Sequence, residues 1–144
     1  GLAEDLDRTG AFSDATLARL CEVLTMLDTA VPLHSADEEQ TLFPVLRELP
    51  PFKGMEGTPM DCMEGEHVLH RALMADLKRS IMQKDAGATC EAARRIVTEY
   101  RGHIEKENEI LFPMAQQVVT DASVVERMTA AMQARRRRAG LGGC

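Results

Sequence analysis

The chain has 144 residues and a mass of 15.9 kDa, enough to bury roughly two-thirds of its unfolded surface around one core and too little for two. Its 44% apolar and 28% charged residues exclude a disordered chain, and no membrane-length apolar run or signal-peptide pattern is present. Aromatics are 3% with no Trp, and the net charge of −6 divides into +3 over residues 121–144 and −9 elsewhere, which excludes a base-stacking platform and a phosphate-gripping body.

Strand signals are absent and helical ones run throughout. Residues 1–7 read as the tail of a helix closed by Thr9-Gly10, and the opening Gly1 in place of Met points to an upstream piece removed or replaced. A long helical stretch is expected from Ser13 to about Leu49, kinked or unwound near Pro32 and Pro44 and ended by Pro50-Pro51. Gly54 and Gly57 mark a loop. Thr58-Pro59-Met60-Asp61 then supplies a hydroxyl cap, a first-turn proline and an acid three residues after the cap, opening a helix to about Gln83.

Asp85-Ala86-Gly87 reads as the next break, followed by a helix from about Thr89 to Val118 with Pro113 near its end. Thr120-Asp121 begins a last helix closing at Gly140, and its run Arg135 to Arg138 is expected to be a solvated, dipole-matched helix end. Helices joined by short connections predict an all-α, up-and-down bundle. Leu, Ala and nine Met residues must build its core. Cys21, Cys62, Cys90 and Cys144 show no CxxC spacing and read as reduced thiols in a cytoplasm.

Each central helix carries a stripe with steps of three and four residues. The first is Leu17, Leu20, Leu24, Leu27, Val31, His34, Glu38 and Thr41; the second is Met60, Met63, His67, His70, Met74, Leu77 and Ile81; the third is Ala93, Ile96, Tyr100, His103, Glu107, Ile110 and Met114. All four histidines of the chain fall on these stripes, and His34 and His103 each have a Glu one turn later on the same face. A lone histidine on such a face is usually a hydrogen-bonded core residue. Two His-x-x-x-Glu pairs plus His67-x-x-His70 on facing stripes are better explained by metal, which satisfies six otherwise costly buried groups together. Imidazole and carboxylate without thiolate suit iron better than zinc or manganese. Six donors exceed one tetrahedral zinc, so two metals sharing Glu38 and Glu107 is the economical arrangement.

These segments resemble a known family. His34-Ser-Ala-Asp-Glu38-Glu39-Gln-Thr-Leu42-Phe43-Pro44 and His103-Ile-Glu-Lys-Glu107-Asn-Glu-Ile-Leu111-Phe112-Pro113 are similar to the paired HxxxE…LFP motifs of hemerythrin-like (HHE cation-binding) domains, and Glu66-His67-Val-Leu-His70-Arg71 to the EHxxxR motif between them. The resemblance covers residues 1–118 and leaves 119–144 as a C-terminal helix and flexible tail. It implies an up-and-down four-helix bundle, here with a truncated first helix and an extra C-terminal helix, around two non-haem irons in a bridged centre. It makes His34, His67 and His103 nitrogen ligands and Glu38 and Glu107 bridges. His70 follows His67 by three residues where hemerythrins have four, and its place on the stripe favours it as a further ligand. The family's first helix supplies another His, and residues 1–10 contain none. Tyr100 stands one turn before His103 as a neighbour of the centre or simply core, and Glu66 is a carboxylate to orient a ligand. Glu39 and Glu64 read as solvated.

The function so implied is reversible binding of a small diatomic gas, dioxygen or nitric oxide, for sensing, storage or transfer, with no nucleic acid or membrane partner and a homodimer allowed. Two alternatives stand beside it. One is a di-iron enzyme or iron donor acting in peroxide or nitric oxide stress and iron–sulfur repair, although no cysteine-bearing repair domain accompanies it. The other is a metal-free helical module that binds a partner.

Overall fold

A computed structural model describes residues 12–140. The chain is all-α and of the helical-bundle class, with no strand among the described residues. Its elements are α1 (Asp14–Asp37), a π turn (Glu38–Leu42), α2 (Phe43–Glu48), α3 (Pro59–Met82), α4 (Ala86–Lys106), a second π turn (Glu107–Leu111), α5 (Phe112–Val118) and α6 (Ala122–Arg138). The expected helix tail over residues 1–7, the truncated first helix and Cys144 lie outside the described residues.

The helix ends follow local chemistry. Ser13 Oγ accepts from the Thr16 N–H at 3.1 Å and starts α1. Thr58 Oγ1 accepts from the Asp61 N–H at 3.3 Å, while Asp61 Oδ2 accepts the Thr58 N–H at 2.8 Å, a reciprocal capping box for α3. Asp85 Oδ1 accepts from the Ala88 N–H at 2.9 Å, so α4 begins at Ala86 rather than near Thr89. The Asp85-Ala86-Gly87 segment is therefore a helix start, with Asp85 as its cap. Asp121 Oδ1 caps α6 through the Ser123 N–H at 2.8 Å, and Gly140 follows that helix with φ of +75°.

α1 continues through Pro32, and the change of winding falls before Pro44 instead. There the Phe43 N–H bonds the carbonyl of Glu38, five residues back, and the Phe112 N–H does the same to Glu107 ahead of Pro113. A proline ring clashes with the carbonyl four residues before it and has no N–H to give. Widening the preceding turn by one residue relieves both, and such π turns are frequent at functional sites.

The extra residue also shifts the buried face. On the third stripe Ile110 is 54% exposed and Leu111 is fully buried, so the core continues from Glu107 to Leu111 and Ala115 rather than to Ile110 and Met114.

The chain divides into two compact units, Gly1–Asp28 with Gly65–Glu105 and Thr29–Glu64 with Lys106–Cys144. In the first, Leu73, Met74, Leu77 and Ile96 form the core, with Leu24, Leu27 and Tyr100 packed against them. Leu20 and Cys90 form a smaller cluster beside it. In the second, Leu42, Phe43, Leu46, Met60, Met63, Leu111 and Ala115 form the core, and Met128 and Met132 bring α6 onto it. Cys21, Cys62 and Cys90 form no disulfide among the described residues. No helix among the described residues is long and apolar enough to cross a membrane.

Candidate metal centre

In the second unit each π turn begins with a glutamate, and Glu38 and Glu107 are each only 3% exposed. Burying a carboxylate costs several kcal/mol unless a cation or hydrogen bonds compensate it. His34, one turn before Glu38, places its Nε2 2.9 Å from Glu107 Oε1 and 3.9 Å from Glu38 Oε2. One ligand atom from each of His34, Glu38 and Glu107 therefore falls within 4.8 Å of the others, close enough to share a cation. Asp37, also buried, accepts from Arg135 Nη1 through Oδ1, and its Oδ2 forms an ion pair with Arg136, whose Nη2 lies 2.7 Å away. Half of the arginine run is thus spent on a buried carboxylate rather than on solvent.

In the first unit His67, His70 and His103 are 1–3% exposed. Their ring centroids stand 5.0 Å apart for His67 and His103, 4.7 Å for His70 and His103 and 6.4 Å for His67 and His70. His70 therefore faces inward despite its spacing of three. Glu66 Oε2 accepts from His103 Nδ1 at 2.8 Å, which fixes the ring and turns Nε2 into the acceptor available to a metal. His103 also precedes Glu107 by one turn in a continuous helical run.

Tyr100 stacks on His70 at 4.1 Å with 16° between the ring planes. Its buried hydroxyl has no hydrogen-bond partner among the described residues, and burial raises its pKa above the usual phenol range. It is a wall of the histidine cluster, a contact that only its position one turn before His103 announced.

Glu64 is not simply solvated. Both its oxygens accept from Arg47 at 2.9 Å, and Asp61 takes a third bond from the same guanidinium at 2.8 Å. Thr41 is buried with Leu42 on the first π turn, where its hydroxyl accepts from Arg135.

Within the second unit two carboxylates and one imidazole, and within the first three imidazoles, are donor types that suit a borderline divalent cation, with no thiolate among them. The comparison with known families decides the identity. Residues 2–115 match the hemerythrin HHE cation-binding domain. The chain belongs to this hemerythrin family. A protein of Haemophilus influenzae described as uncharacterized is 30% identical over 139 residues, covering 94% of this chain and 77% of that relative. No solved structure matches the chain. Membership makes this a cation-binding helical domain, and the donor chemistry of its buried His and Glu residues fits a metal, with nitrogen and oxygen donors and an oriented imidazole on His103.

Proposed function

We propose that this hemerythrin-family chain holds a bridged di-iron centre and reversibly binds dioxygen or nitric oxide, for sensing, storage or transfer. In this reading His34, His67, His70 and His103 are nitrogen ligands, and Glu38 and Glu107 bridge the irons. The observation that carries it is the burial of five of these six groups, His67, His70, His103, Glu38 and Glu107. So many buried ionisable groups have their ordinary explanation in a metal. When bound, iron supplies coordination positions beyond those the protein fills, and a diatomic ligand can take one.

The protein's own part is positioning and exclusion. Glu66 orients His103, and Tyr100 braces His70. Leu111 and the apolar residues around it keep water from the carboxylates. His34 is 46% exposed where the other imidazoles are buried, which favours entry of a small ligand at the His34 end. Cys21, Cys62 and Cys90, scattered without CxxC spacing, favour a reducing cytoplasm.

Metal analysis of protein produced with iron, together with its optical spectrum, tests the reading: close to two irons per chain and absorption from an oxo-bridged ferric pair are expected. Titration of the reduced protein with dioxygen or nitric oxide should then give a saturable, reversible spectral change without steady turnover of peroxide. Iron-replete protein that retains no metal sinks the proposal, and sustained peroxide or nitric oxide consumption would move the protein to the enzymatic class.

A further inference from the structure

Four consecutive arginines close α6, and their surroundings separate them into two pairs. Arg135 and Arg136 face Asp37, Arg135 largely buried and Arg136 still exposed, while Arg137 and Arg138 are exposed. Asp37 is 4% exposed and immediately precedes Glu38. Arg135 does more than neutralise it: its Nη2 donates to Thr41 Oγ1 at 3.1 Å and to Gln40 Oε1 at 3.4 Å. One planar fork therefore grips residues 37, 40 and 41, which flank Glu38 on both sides. The second π turn has Lys106, Glu109 and Ile110 at the corresponding places, and a cation at position 106 repels an arginine. The grip is built for the first turn alone.

A π turn sacrifices regular hydrogen bonding and needs support from elsewhere to stay in one register. The match to the cation-binding family ends at residue 115, so α6 lies beyond the matched domain yet reaches its first carboxylate motif.

We propose that Arg135 is a positioning residue for the metal centre: by clamping Asp37 and Thr41 it fixes the π turn that aims Glu38, so the docking of α6 governs how firmly the Glu38 carboxylate holds metal. The inference rests on the reading of Glu38 as a ligand. It gives the C-terminal helix a regulatory role, since anything that lifts α6 loosens metal at the Glu38 end.

The test uses the full chain loaded with iron and then reduced, with ferrozine as the chelator. Arg135→Ala should release its first iron about tenfold faster than wild type, the lower end of what losing an outer partner of a metal ligand costs, and should shift the absorption of the ferric pair. Arg135→Lys keeps the charge on Asp37 and loses the fork, so it should fold normally and release iron at an intermediate rate. Arg138→Ala removes the same charge from the same helix end and should match wild type.

Amide hydrogen exchange on the metal-free chain gives a readout independent of iron: Arg135→Ala should quicken exchange over residues 38–43 and leave 107–112 unchanged. Wild-type release from Arg135→Ala with normal iron content, equal effects of Arg138→Ala, or equal loosening of both π turns would overturn the clamp. A wild-type chain that takes up no iron overturns the metal reading instead, and iron content alone tells these two failures apart.

Discussion

The two HxxxE…LFP segments share their His, Glu, Leu, Phe and Pro and one backbone device, yet they are set in different surroundings. Both place a glutamate at the first position of a π turn and a proline just after it. In the second copy His103 is 3% exposed and its ring is held by Glu66. In the first copy His34 is half exposed, and the support falls on the turn itself, through Asp37 and the arginines of α6. The motif thus fixes winding and donor spacing, while firmness is supplied from outside it, by a carboxylate on the histidine in one case and by a distant helix on the turn in the other.

The strongest way to break the comparison is to remove the residue the copies share. If both glutamates bridge, Glu38→Ala and Glu107→Ala should each reduce bound iron from two per chain to nearly none, as measured by metal analysis. Glu39→Ala, one step off the stripe, should leave the content nearly unchanged. Full retention of iron by either bridge variant would show that the copies are not equivalent donors.

The difference between the copies predicts a smaller, graded effect. In the proposed centre the His34 end would have one imidazole, half exposed, and the other end would have the three buried imidazoles His67, His70 and His103. Mild chelation should therefore remove one iron well before the second, followed by iron analysis and optical spectra. His34→Ala should lose about one iron and His103→Ala more than one. Loss of both irons together with a single affinity would mean that exposure of His34 does not translate into lability.

Much of this was legible in the sequence, and the illegible parts have a common cause. Caps, prolines and glycines are local signals, so the loop at 50–57, the start of α3 and the bounds of α6 could be read directly. The stripes placed His67, His70 and His103 inward because α-helical periodicity holds there. That periodicity assumes regular winding, so the third stripe went astray at Ile110, inside the second π turn. The Leu111-Phe112-Pro113 run was the available hint, since a proline in a helical pattern strains the turn before it, although α1 absorbs Pro32 without rewinding. The contacts of Arg135 with Asp37 and of Arg47 with Glu64 link residues distant in the chain, and charge patterning cannot distinguish them from solvated ends.

The π insertion itself can be tested through packing. Leu111→Ala should destabilise the chain by about 2–5 kcal/mol, the usual range for a buried leucine, and Ile110→Ala by no more than about 0.5 kcal/mol, as for an exposed site. Regular α winding through residue 110 would reverse the order. Urea unfolding of the two variants, with slopes compared to confirm a common transition, separates these outcomes.

The smallest effect sharpens a last difference between the copies. Arg47, in the helix after the first π turn, corresponds to the neutral Gln116 after the second. Hydrogen bonds that Arg47 donates to Glu64 and then to Asp61 hold its guanidinium charged well beyond its usual range. In return the Arg47 bond, followed by those from Thr58, lowers the Asp61 pKa from 3.8 to about 2. A carboxylate whose pKa is lower folded than unfolded binds fewer protons in the native state, so its contribution is complete above the unfolded value and is lost as pH falls toward the folded one. The window is therefore between pH 3.8 and about 2. Asp61 is exposed, and solvent screens the pair, so the change is modest. Thermal unfolding between neutral pH and pH 2 should show wild type losing slightly more stability over that window than Asp61→Asn, which lacks the titrating group. The difference should shrink in high salt. Parallel acid limbs for the two proteins would mean that the Arg47 clamp holds the first copy no more firmly than Gln116 holds the second.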